Sequence, residues 1–98
     1  MKVKLGVVGY GYWGPNLVRN LAGHPKCAAL TVCDTDKRKL DLVESRYQSG
    51  NVFVTSDYKD ILDNDEIQGV VIATPISTHF QLAKMALERG KHVFGEKP

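Results

Sequence analysis

The sequence contains no long hydrophobic run, no internal repeat, no low-complexity segment and no linker-like stretch in its 98 residues. The first absence excludes a membrane-spanning helix, and the length suits one compact domain. Cysteine is scarce. Cys27 and Cys33 form no C-x-x-C pair and have no metal-ligand spacing with the three histidines, so no metal site is expected. Cys33 lies in an apolar run and reads as a buried thiol, which fits a reducing, cytoplasmic setting. Charge is also modest. A formal net charge of +2 argues against nucleic acid or an acidic membrane as partner. The longest basic run, Lys37-Arg38-Lys39, is flanked by Asp36 and Asp41 and reads as a solvated helix start. The charged, then apolar N-terminus is too short and too broken by glycine for a signal peptide. What remains is average globular composition, 43% hydrophobic and 24% charged.

Along the chain, short apolar runs alternate with helical periods. Val3 to Val8, Ala28 to Cys33, Val52 to Val54, Gly69 to Ala73 and His92 to Phe94 read as strands. The run G-V-V-I-A is apolar throughout, as in a strand covered on both faces. Between them, Trp13, Leu17 and Leu21 recur at helical spacing, with Pro15 in the first turn. Asp36 is an N-cap for a helix with Leu40, Val43 and Tyr47 on one face, ending at Gly50-Asn51. Ser56 or Asp57 caps a short helix through Leu62. Thr78 and Gln81 form a capping box for a helix with Leu82, Ala83, Ala86 and Leu87 inward, stopping at Gly90. Such alternation predicts an α/β doubly wound parallel sheet in the order 3-2-1-4-5, a dinucleotide-binding (Rossmann) fold truncated before its sixth strand. Strand five is then expected to be an exposed edge that favours dimerisation or marginal stability.

The stretch V-G-Y-G-Y-W-G-P at residues 8–15 carries the first chemistry. G-x-G-x-x-G alone is a weak signal. Here it follows a strand, opens a helix, and is followed by an acid, Asp34, twenty residues past Gly14 at the end of the next strand. Gly9 permits the tight turn. Gly11 lets backbone N–H groups approach a pyrophosphate, and Gly14 lets the helix pack close to the strand. The unpaired first-turn amides and the helix dipole favour an anion. Asp34 accepts from a ribose diol and repels a 2′-phosphate, so NAD is favoured, with NADP left open by nearby Lys37 and Arg38. Trp13 reads as a packing residue in register with Leu17, and Tyr12 as the one that lines the nicotinamide side. A glycine turn with a mere loop carboxylate is the bland alternative. An S-adenosylmethionine-dependent methyltransferase, which also pairs a glycine-rich loop with an acid after strand two, is a rival binder.

The ends of strands four and five discriminate further. They run into A-T-P-I-S-T-H-F and V-F-G-E-K-P. With V-V-G-Y-G-Y-W-G-P-N and C-D-T-D, these segments resemble the glucose–fructose oxidoreductase and inositol dehydrogenase (Gfo/Idh/MocA) family over essentially the whole chain, as its N-terminal cofactor domain. The E-K-P ending is the most specific of them and disfavours the methyltransferase. The resemblance implies that Thr74 and Pro75 contact the cofactor and that His79 lies near it. It places Glu96 by the nicotinamide-side ribose, and makes Lys97 the catalytic or substrate-orienting lysine. Ile76 stands where many members carry Asn, and Gly95 where a bulkier residue is usual. His24 and His92 read as loop and strand residues rather than ligands.

The same resemblance implies a sugar, inositol or nucleotide-linked sugar as the small-molecule substrate. It also implies a second, substrate-binding domain beyond this chain, through which the enzyme would form a homo-oligomer. Residues 1–98 are then expected to bind NAD without turning over substrate, since no closed, water-excluding site would form. A stand-alone NAD-binding or redox-sensing module is the alternative of a different class.

Overall fold

A computed structural model describes residues 2–11, 13–48 and 50–95. The predicted strand order is observed. Five parallel strands form one sheet, β3-β2-β1-β4-β5, made of β1 (Val3–Val8), β2 (Cys27–Cys33), β3 (Val52–Thr55), β4 (Ile67–Ile72) and β5 (His92–Gly95). The connecting helices are α1 (Gly14–Ala22), α2 (Lys37–Arg46), α3 (Lys59–Leu62) and α4 (Ile76–Glu88). Alternate residues of the central strands feed two apolar layers. Val7, Leu30 and Val32 pack with Val18 of α1 and Val43 of α2 on one face. Val8, Val70 and Ile72 pack with Ile61 of α3 and Ala86 of α4 on the other. This two-sided cover explains the near-continuous apolar runs of β1 and β4.

Several local expectations are met. Pro15 sits in the first turn of α1, and Asp36 caps α2 by accepting from the Arg38 amide at 2.9 Å. That bond holds the Asp36 carboxyl below its ordinary range. The third cap differs: Tyr58 is the N-cap of α3, without a side-chain cap bond, and Asp57, one of the two candidates, stands one residue earlier and accepts from the Lys59 amide at 2.9 Å.

Three further expectations fail, each for a local reason. α2 ends at Arg46 with Tyr47 as its C-cap, short of Gly50, whose φ of +100° serves the turn into β3 instead. α4 starts at Ile76, before the expected capping box. The Thr78 hydroxyl donates back to the Pro75 carbonyl at 2.7 Å, so Thr78 lies inside the first turn and does not cap it. Leu87 faces outward, 61% exposed, while its neighbour Ala86 is fully buried; the inward stripe of α4 is Leu82, Ala83, Met85 and Ala86.

Candidate active site

All the ends that matter lie at the carboxyl edge of the sheet, flanking the point where the chain switches from β1 to β4. A cleft of about 430 Å³ opens there. Its walls come from three segments: Gly9, Gly11 and Trp13 of the glycine loop; Asp34, Thr35 and Lys39 after β2; and Ala73, Thr74, Pro75 and Ile76 after β4. A more apolar recess of about 300 Å³ adjoins it, sharing Asp34, Thr35, Thr74 and Pro75 and adding Ser56, Tyr58 and Leu82.

The three glycines do different work. Gly9 has φ +100°, and a Cβ there would lie 2.9 Å from Thr74 Cγ2 and 3.0 Å from the Ala73 carbonyl. A Cβ on Gly14 would stand 2.3 Å from the Gly9 carbonyl oxygen, so helix α1 and the β1 turn touch backbone to backbone. Gly11 is unlike both. A Cβ there would meet only Lys39 Nζ, at 3.8 Å. Among the described residues no packing requires glycine at this position; the space is open towards the cleft, as a cradle for a ligand requires.

Asp34 is fixed by its neighbours. Its Oδ2 accepts from the Tyr10 amide and its Oδ1 from the Asp36 amide, both at 2.8 Å. A carboxylate has about four lone-pair sites, so two remain, on a side chain that lines the cleft. The Tyr10 bond also ties the glycine loop to the end of β2. Opposite, Thr78 spends its hydroxyl proton on Pro75, so in the 2.7 Å contact between the two hydroxyls Thr74 is the donor and Thr78 the acceptor. His79 Nε2 lies 2.6 Å from the Thr74 carbonyl. A carbonyl only accepts, so Nε2 carries the proton. His79 thus braces the β4–α4 turn from behind and is not among the cleft-lining residues. No side chain caps α1, whose N-cap is Trp13.

Of the residues expected at the site, the structure brings together Gly9, Gly11, Trp13, Gly14, Asp34, Thr74 and Pro75, with His79 one step back. Tyr12, Glu96 and Lys97 lie outside the described residues. Thr35 and Lys39 line the cleft as well, whereas Lys37 and Arg38, the basic residues singled out in the sequence, are exposed and outside its lining. Lys39 belongs to the same basic run, and the helical phase of α2 would have singled it out. Among the described residues there is no cluster of three or more potential metal ligands, and no helix is long and apolar enough to cross a membrane.

Sequence comparison decides which fold family this cleft belongs to. The pattern of the oxidoreductase family Gfo/Idh/MocA, in its NAD-binding Rossmann fold, matches residues 3–98. The chain belongs to that family. Membership removes the methyltransferase reading and makes this an NAD-binding Rossmann domain. The chain is 36% identical over 97 residues to the uncharacterized oxidoreductase YdgJ of Escherichia coli, covering 98% of this chain and 27% of YdgJ. It is 33% identical over 104 residues to glycosyl hydrolase family 109 protein 2 of Shewanella, covering 99% and 23%. Its fold superposes with TM-score 0.85, at 30% identity, on scyllo-inositol dehydrogenase from Lactobacillus casei solved with bound NAD(H) and scyllo-inositol, covering 100% of this chain and 28% of that one. The chain therefore spans about a quarter of the length of such relatives.

Proposed function

We propose that this domain is the cofactor half of a dehydrogenase acting on a hydroxyl or carbonyl of a sugar- or inositol-like small molecule. The observation that carries the reading is the open side of Gly11, facing a cleft whose opposite wall is the doubly anchored Asp34 carboxylate. In this reading the two free lone-pair sites of Asp34 take the hydroxyls of the adenosine ribose, and the adjoining apolar recess takes the flat adenine. The glycine-loop amides and the N-terminus of α1 face the diphosphate. Thr74, Pro75 and Trp13 wall the path beyond it, and Tyr12 and Glu96 belong on the nicotinamide side. Bound NAD supplies the hydride acceptor. Lys97, assigned by family resemblance, orients the substrate oxygen and stabilises negative charge developing on it. NAD is preferred over NADP because a 2′-phosphate would stand against the Asp34 carboxylate.

The substrate class is supported by the scyllo-inositol dehydrogenase similarity. The substrate-binding half, and the contacts that make an oligomer, are assigned to a further domain of the full-length protein, without which residues 1–98 bind cofactor but do not turn over. Titration of the chain with NAD and NADP, followed by calorimetry and by the fluorescence of its single tryptophan, Trp13, tests the reading. NAD should bind more tightly than NADP. Asp34→Asn, which can still accept one loop amide, should weaken NAD by about tenfold and narrow the gap to NADP. An unchanged NAD affinity in that variant would remove Asp34 from the ribose site. In the full-length protein, net NADH production from an inositol or sugar distinguishes a dehydrogenase from a glycoside hydrolase, which would leave NADH unchanged.

A further inference from the structure

Of the basic run Lys37-Arg38-Lys39, only Lys39 turns into the cleft. Arg38 points outward, its side chain 92% exposed, with Nε 3.6 Å from Asp36 Oδ1. Lys37 is exposed as well. The Lys39 ammonium is the nearest group to the open side of Gly11. It joins none of the salt bridges or hydrogen bonds formed among the described residues. The nearby Asp36 carboxylate feels its charge but makes no salt bridge or hydrogen bond with it, and from the first turn of α2 the ammonium stands beside the open side of Gly11, placed to meet an anion.

The charges in the cleft say which anion. Its described lining carries one carboxylate, Asp34, and one ammonium, Lys39. An NAD diphosphate brings two negative charges to the loop that Asp34 already flanks. The N-terminus of α1 offsets about half a charge, and Lys39 is the remaining cation among the described lining residues. We propose that Lys39 is the charged partner of the cofactor's diphosphate, closing over the glycine loop from α2, and not a receptor for a 2′-phosphate. The proposal rests on the NAD-binding reading above. It adds that affinity for the diphosphate is shared between the loop and a side chain of the second helix, and that Lys39 leaves the choice between NAD and NADP to Asp34.

The test compares the parent chain with Lys39→Ala, Lys39→Arg and Lys37→Ala, using NAD, NADP, ADP-ribose and adenosine as probes in calorimetry. Position 39 is partly exposed on a helix, so thermal unfolding should change little, and this is checked for each variant. Lys39→Ala should weaken NAD, NADP and ADP-ribose alike, by about tenfold, and adenosine by less than twofold. Lys39→Arg should recover most of the loss, Lys37→Ala should lose almost nothing, and the salt dependence of NAD binding should flatten in Lys39→Ala. A loss confined to NADP would assign the lysine to the 2′-phosphate and overturn the proposal. Equal loss for adenosine, or no loss for any probe, would overturn it too. If the parent chain binds none of the four, it is the NAD-binding reading itself that fails.

Discussion

The two edges of the sheet are built on opposite plans. At the amino edge, polar groups are closed off from within. Lys91 is buried, and its Nζ donates to the Asn64 carbonyl at 2.9 Å and the Ile67 carbonyl at 2.8 Å. The Val3 and Ile67 amides find the carbonyls of Lys26 and Asn64, and the exposed pairs Lys4–Glu66 and Arg89–Asp63 lie on the outside, where such pairs contribute little. At the carboxyl edge, among the described residues, Gly11 is open towards the cleft, Asp34 uses two of its lone-pair sites and Lys39 makes no salt bridge or hydrogen bond. A buried lysine and a half-buried one thus mark the two ends. One is satisfied by the chain's own carbonyls at the entrance of β4; the other makes no salt bridge or hydrogen bond among the described residues and lines the cleft. Polar groups bonded within the chain mark one edge, and the cleft marks the other.

Substitutions at each edge test whether that separation is real. The largest effect is expected for Gly14→Ala. The new Cβ would be driven into the Gly9 carbonyl, so the loop or α1 must shift; the cost is about 3 kcal/mol, seen as a lower unfolding midpoint, with more than tenfold loss of NAD affinity. Next comes Lys91→Met, which takes the ammonium from the buried Ile67 carbonyl and from the Asn64 carbonyl, the latter keeping the Ile67 amide. Denaturant unfolding should show a loss of about 2 kcal/mol, while NAD affinity stays within twofold. A clear change in NAD affinity would show that the edges are coupled.

A smaller effect is expected in alkaline solution. Burial pushes the Cys33 thiol from its ordinary value of 9.0 up to about 11, with Asp34, Asp57 and Asp60 adding to the shift. Between those values the unfolded chain releases the proton and the folded chain keeps it. Stability is therefore full below pH 9 and falls as pH rises towards 11. The contribution is about 1 kcal/mol by pH 10, and Cys33→Ala should flatten that part of the pH–stability curve. The smallest change is a gain. Among the described residues the buried Tyr10 hydroxyl has no hydrogen-bond partner, so Tyr10→Phe should raise stability by up to about 1 kcal/mol and leave binding untouched. A loss on that substitution would mean the hydroxyl has a partner after all.

Strand order and the glycine loop were readable in the sequence because both are written locally. Apolar runs end in turn residues, and the G-x-G-x-x-G spacing of Gly9, Gly11 and Gly14 is contained in six residues between a strand and a helix. The spacing to Asp34 follows from one βαβ unit of ordinary length. What could not be read depends on phase and on contacts between distant segments. Leu87 lies one helical step from Ala86, and that step separates the surface from the core. Thr78 and Gln81 have the spacing of a capping box, but Pro75 starts the helix earlier and takes the Thr78 hydroxyl. Lys39, rather than Lys37 or Arg38, reaches the cleft because α2 is rotated so that Leu40 and Val43 are buried. Nothing in the local sequence marks Lys91 as buried, since its acceptors lie 24 and 27 residues away. The spacing marks Asp34 as the carboxylate that ends strand two, whereas its bond to the Tyr10 amide emerges only once the strands are paired.

That bond has a thermodynamic meaning. The carboxylate assigned to the ribose already holds the glycine loop in place before any ligand arrives. Ordering this loop is therefore a cost met during folding, so cofactor association should involve little loss of backbone entropy at residues 9–11. It should also be fast, with no loop closure to wait for. Cutting the tie while leaving the fold intact would move the ordering into the binding step, where it would appear as a more unfavourable entropy of association.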